Sequence, residues 1–123
     1  MFKKTIFLLL VEDDEDIVKL IKGILKNTRV KIYVSKTGED AIEIIKTKKI
    51  NIALVDYKLP YKNGILITNE IKEINPELPI ILETGEKMLY ENVEMTKDFQ
   101  FDDVLAKPFD RELVLDVLKK YLK

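Results

Sequence analysis

The chain contains no cysteine and no histidine among its 123 residues. Without cysteine there is no disulfide frame, no thiol nucleophile and no thiolate-bound metal. Without histidine there is no imidazole base for a serine triad and no zinc site that needs imidazole. Arginine is nearly absent too: of 21 basic residues, only Arg29 and Arg111 are arginine. That scarcity argues against bidentate readout of phosphate or guanine. The formal net charge is −1, so no global field draws the chain to nucleic acid or an acidic membrane. A long apolar run is also missing. The opening residues have the outline of a secretory signal, but the apolar stretch covers only Ile6 to Val11. It then meets the acids Glu12 to Asp16 with no cleavage site. The segment therefore reads as a buried strand of a cytoplasmic protein. The chemistry that remains open uses carboxylates, lysine, hydroxyls or a bound hard cation.

The composition is 46% hydrophobic and 35% charged, which suits a folded soluble domain and not a disordered one. The length allows one core, so a single domain over 1–123 is expected. Strand-like apolar runs occur at Ile6–Val11, Val30–Val34, Ile52–Val55, Pro79–Leu82 and Val104–Ala106. Helical patterns lie between them. Ile17, Leu20, Ile21, Ile24 and Leu25 follow the spacing of one buried helix face. Ala41, Ile42, Ile44 and Ile45 suggest a second helix introduced by Thr37-Gly38. A third runs from Ile65 to Ile74 and is stopped by Asn75-Pro76. Met88 to Lys97 gives a weaker fourth. Leu113, Val114, Val117, Leu118, Tyr121 and Leu122 give a fifth, capped by Asp110. Five such units imply a parallel sheet with helices on both faces. The nearly all-apolar strands agree with burial on both sides.

In an open sheet of this kind, ligands sit beyond the carboxyl ends of the strands. Strand one delivers Glu12, Asp13 and Asp14 there, and strand three delivers Asp56, followed by a Pro60/Gly64 turn. Strand four ends in Glu83-Thr84-Gly85, and strand five in Lys107-Pro108. Clustered carboxylates repel, and a hard divalent cation such as Mg²⁺ resolves the repulsion. Such a site suits phosphoryl transfer, in which a carboxylate is the nucleophile and a lysine neutralises phosphoryl charge. Asp56, alone at its tip, is the candidate nucleophile and Asp13 the candidate metal ligand. Lys107 and Thr84 are the groups that would meet the phosphoryl oxygens. Glu15 and Asp16 read instead as acids favouring a helix N-terminus.

Four pieces occur in order: Leu10-Val11-Glu12-Asp13-Asp14, Val55-Asp56-x-x-Leu59-Pro60-x-x-x-Gly64, Thr84-Gly85 and Lys107-Pro108-Phe109. Together they resemble the receiver domain of two-component response regulators over essentially the whole chain. The resemblance implies a flavodoxin-like (βα)5 fold, a doubly wound parallel sheet with strand order 2-1-3-4-5. It implies that Asp56 accepts a phosphoryl group from a phosphohistidine of a sensor histidine kinase or histidine phosphotransfer protein, and so switches affinity for a downstream protein. It implies Mg²⁺ or Mn²⁺ held by Asp13, Asp56 and the backbone carbonyl of Lys58, with Glu12 acting directly or through water. It also implies a cis Lys107–Pro108 bond and a signalling switch, not an enzyme, with no membrane or direct nucleic-acid contact.

The match departs from the family in two places. Val104 stands where the family commonly has Tyr or Phe, so an aromatic rotation cannot report phosphorylation. Gly85 follows Thr84 where Ala is more usual. Lys58 and Glu86 lie at positions that vary across the family and affect hydrolysis, and are expected to pair across the site. Other functions fit less well. An aspartate-nucleophile phosphatase would want an acid where Lys58 stands, and a flavin carrier would want a glycine-rich loop where the acid run stands. The receiver of a larger regulator, including a DNA-binding one, and a receiver-like binding module that does not use phosphorylation are the remaining alternatives.

Overall fold

The run Ile6–Val11 becomes strand β1, and its last four residues, Leu8 to Val11, are fully buried. Burial of a side chain of that size stabilises by about 1.5–3 kcal/mol. The computed structural model describes residues 2–60, 62–91 and 99–122. Along the chain, β1 is followed by α1 (Glu15–Leu25), β2 (Val30–Ser35), α2 (Gly38–Thr47) and β3 (Ile52–Asp56). Then come α3 (Gly64–Ile74), β4 (Ile80–Thr84), α4 (Met88–Glu91), β5 (Asp103–Ala106) and α5 (Arg111–Tyr121). The five strands are parallel, in the order β2-β1-β3-β4-β5, as expected. The Lys107–Pro108 peptide is cis. No helix among the described residues is long and apolar enough to cross a membrane.

Period-two alternation divides the core between the two faces of the sheet. Leu8, Leu10, Ile52, Leu54, Ile81 and Leu105 pack with α1 and α5. Leu9, Val11, Ala53, Val55 and Ile80 pack with residues of α2 and α3. The helices begin where capping side chains satisfy their first N–H groups. Asp14 accepts from Asp16, Thr37 from Asp40, Asn63 from Ile65 and Leu66, and Asp110 from Leu113. Glu15 and Asp16 fill the first turn of α1, where acids favour the helix dipole.

Two helix faces differ from the sequence expectation. In α1 the buried residues are Val18, Ile21, Ile24 and Leu25, and Leu20 is exposed. In α5, Leu115 is buried and Leu113 is exposed. Val114 beside it is fully buried, so the buried face of α5 runs through Val114, Leu115, Val117 and Leu118 and turns Leu113 outward. The expected fourth helix, Met88 to Lys97, lies partly outside the described residues, as do Tyr61, Val93 and Met95. Within its described part Leu89 is buried and Met88 exposed.

Close packing at Gly64 fixes the frame near its functional edge. The Gly64 N–H donates to the Tyr57 carbonyl at 2.8 Å, which closes the turn after β3. A Cβ on Gly64 would collide with the backbone carbonyl oxygen of Asp56, so only glycine allows this approach. Gly64→Ala is expected to lower stability by about 2 kcal/mol, as overpacking against backbone does, measured by chemical denaturation. On β5, burial works to raise the Asp103 pKa. Hydrogen bonds from Lys120, the Val104 amide and Tyr121 outweigh it and hold the carboxyl below its ordinary 3.8. A depressed acid stabilises the fold above its unfolded pKa and loses that contribution as pH falls through the folded value. Asp103→Asn should therefore cost about 0.5–1 kcal/mol at pH 7 after solvent screening. The gap to the wild type should close below about pH 4 in denaturation curves taken across pH.

Candidate functional site at the carboxyl edge of the sheet

Continuing the alternation of β1, β3 and β4 past the core places Glu12, Asp56 and Glu83 on the same face as Leu10, Leu54 and Ile81. Asp56 and Glu83 are direct register partners, as Val11 and Val55 are one step earlier. Each of the three acids offers an oxygen, and these oxygens lie within 4.8 Å of one another. Glu12 and Glu83 are fully buried, and Asp56 is 4% exposed.

Among the described residues, one ammonium faces this group. Lys107 Nζ donates to Asp56 Oδ1 at 2.9 Å and lies 3.6 Å from Glu12 Oε1. Burial works against the charge on Lys107, but Asp56, Glu12 and Glu83 together raise its pKa. Burial, then the neighbouring Glu83 and Asp56 carboxyls, push Glu12 up to about 10. Burial likewise pushes Glu83 up, against a hydrogen bond with Glu12 and the pull of Lys107. One ammonium does not balance three buried carboxylates, so without a cation the Glu12–Glu83 pair holds a proton at neutral pH.

The remaining groups sit around this centre. Glu12 Oε2 accepts the Asp13 N–H at 3.1 Å, which leaves Glu12 Oε1 facing the cluster without a hydrogen-bond partner among the described residues. The Lys58 N–H points to Asp56 Oδ1 at 3.4 Å. Thr84 is 2% exposed, and its hydroxyl oxygen accepts the Glu86 N–H at 3.0 Å. The Lys107 N–H donates to the Thr84 carbonyl at 2.8 Å, which ties the tips of β4 and β5 together. Across the mouth, Lys58 Nζ pairs with Glu86 Oε1 at 2.8 Å, with both side chains substantially exposed.

Of the residues singled out from sequence, Glu12, Asp56, Thr84, Lys107 and the Lys58 backbone meet at this edge. Asp13 is exposed and stands outside the three-carboxyl cluster. Glu83 had no role in the sequence reading, although a signal was present. An acid inside the apolar segment Pro79-Ile-Ile-Leu-Glu83 is unusual, because Glu is almost never fully buried unless it is paired. Val104 is half-buried in β5 opposite Leu82, at the position where the family commonly places an aromatic.

Comparison with known proteins identifies the family. The family model of the response regulator receiver domain matches residues 8–119. The transcriptional regulatory protein DltR of Streptococcus agalactiae is 31% identical over 108 residues, covering 88% of this chain and 48% of DltR. The transcription factor SKN7 of Saccharomyces cerevisiae is 31% identical over 123 residues, covering 98% of this chain and 19% of SKN7. This chain thus spans about half or less of the length of these regulators. Among solved structures, a CheY-like receiver domain protein of Methanospirillum hungatei superposes with a TM-score of 0.84 at 26% identity, covering 95% of this chain and 93% of that one. The BeF3-activated DrrB receiver domain superposes with a TM-score of 0.81 at 28% identity, covering 95% and 97%. With the motif residues gathered at one sheet edge and the match running through nearly the whole chain, this protein belongs to the response regulator receiver domain family of two-component systems.

Proposed function

We propose that this chain is a phospho-acceptor switch in which Asp56 takes a phosphoryl group from a phosphohistidine of a sensor histidine kinase or histidine phosphotransfer protein. The observation that carries the reading is the Lys107–Asp56 ion pair at 2.9 Å, set at a sheet edge with Thr84 on the next strand. The donor histidine lies outside these 123 residues, which contain none. An Asp56 carboxylate oxygen attacks phosphorus, the P–N bond to the donor imidazole breaks, and its electron pair leaves on the imidazole nitrogen. Asp56 becomes an acyl phosphate. Lys107 then shifts from the carboxylate to the phosphoryl oxygens and neutralises part of their charge. Thr84 already accepts from the Glu86 amide, so its own O–H is left to donate to a phosphoryl oxygen.

The donor set fits a hard divalent cation: it is all oxygen, and buried carboxylate oxygens of Glu12 and Glu83 lack partners among the described residues. Asp13, Asp56 and the Lys58 carbonyl, with Glu12 beside them, are the residues that would hold Mg²⁺ or Mn²⁺. When bound, the ion supplies charge neutralisation at the transferring phosphoryl group. The protein works by changing its affinity for a downstream partner and is a switch more than an enzyme. Its relatives named as transcriptional regulators favour a place as the receiver portion of such a regulator.

With a small-molecule phosphodonor and Mg²⁺, intact mass should show the wild type gaining one phosphoryl group. The gain should vanish in Asp56→Ala and without Mg²⁺. A wild type that stays unmodified even with a phosphohistidine donor protein would overturn the reading. The Lys58–Glu86 pair lies across the route by which water reaches Asp56. Lys58→Ala and Glu86→Ala are each expected to shorten the phospho-Asp56 lifetime, by at most about fivefold, because an exposed pair is worth ~0–1 kcal/mol. Equal lifetimes in all three proteins would show the pair to be without effect on hydrolysis.

A further inference from the structure

We propose that Glu83 is a further ligand of the divalent-cation site, so that the cation bridges the tips of β1, β3 and β4 instead of resting on the first two alone. The inference deepens the cation reading of this site and rests on it.

Glu83 is fully buried, and neither of its carboxylate oxygens has a hydrogen-bond partner among the described residues. A protonated Glu12 can share its hydrogen with Glu83, but no ammonium among the described residues pairs with Glu83 directly, and a buried carboxylate without a positive partner costs free energy. The carboxyl points into the cluster, where its oxygen lies within 4.8 Å of oxygens on Glu12 and Asp56. Oxygens bound to one ion can be no further apart than twice the metal–oxygen distance, about 4.2 Å for Mg²⁺ and up to about 5 Å for Ca²⁺. The 4.8 Å spread of the three carboxyl oxygens falls inside the Ca²⁺ limit and exceeds the Mg²⁺ limit by no more than about 0.6 Å, which a small rotation of the carboxyl groups closes. Lys107 does not fill the same need, because its nearest oxygens belong to Asp56 and Glu12.

The rest of β4 makes the acid more conspicuous. Ile80, Ile81 and Leu82 are fully buried hydrocarbon, and a fourth such residue at position 83 would meet the same packing requirement without the desolvation cost. A third carboxylate also adds charge, and ligand charge count is a main determinant of divalent-cation affinity.

The test is titration of the unphosphorylated protein with Mn²⁺, followed by the electron paramagnetic resonance signal of the free ion, and with Mg²⁺ by calorimetry. Wild type, Glu83→Gln and Glu83→Leu are compared, each checked for folding by circular dichroism. The proposal expects both variants to bind at least fivefold more weakly, while their metal-free melting temperatures equal or exceed that of the wild type. A smaller loss, or a gain, overturns it. A measurement on the wild type alone guards against variants that do not fold. With ¹³C-labelled carboxyl groups, Mg²⁺ should shift the Glu83 signal together with that of Asp56. A Glu83 signal that stays put while Asp56 moves overturns the assignment of Glu83 and leaves the cation site standing. A wild type that binds neither ion overturns the cation reading itself.

Discussion

Three carboxyl groups and a single ammonium share one corner of the sheet, most of it shielded from water. Like charges about 4 Å apart repel by about 4 kcal/mol at an effective dielectric constant of 20, and removal from water adds several kcal/mol per ion. A fold selected for stability alone would not place Glu12, Asp56 and Glu83 on adjacent strand tips. The corner is tolerable because Lys107 pairs with Asp56 and because the Glu12–Glu83 pair holds a proton when no cation is near. Sites of this kind carry local cost that the surrounding structure must sustain.

The surroundings do so through two separate apolar layers. β1 lies inside the sheet between β2 and β3, and its side chains alternate between the layer under α1 and α5 and the layer under α2 and α3. Polar pins close the rim at the far end of β4 and β5. Lys72, 11% exposed, donates to the Leu78 carbonyl and to Asp102, whose same oxygen accepts the Ile80 N–H. Arg111 donates to the Ile24 carbonyl, and so joins the start of α5 to the end of α1. Repulsion at one edge is therefore held by packing and hydrogen bonds distributed through the rest of the molecule.

Much of this was legible in the residues. Runs such as Ile6–Val11 announce strands buried on both faces, and Asp110, Thr37 and the Asn75-Pro76 pair mark helix ends. The acids and Lys107 stand at strand tips because apolar runs end there. Register is less legible, because it depends on pairing across the sheet. That is why Glu83, placed at the edge by the sequence, was given no role there: only its alignment with Asp56 shows that both face one way. Helix rotation is similarly tertiary. Leu20 and Val18 are equally apolar, and contact with the sheet decides that Val18 is buried.

The strand tips are linked to one another by main-chain hydrogen bonds. Glu12 N–H reaches the Ser35 carbonyl, Tyr57 N–H the Glu83 carbonyl, and Lys107 N–H the Thr84 carbonyl. None of these bonds uses a side chain. The scaffold that sets where each group stands is thus independent of which group stands there. Exchanging one side chain at this corner alters its charge or reach and leaves the places of the others as they were. Such a corner can be retuned one residue at a time, as Val104, Gly85 and Glu83 illustrate, while the address of Asp56 stays fixed.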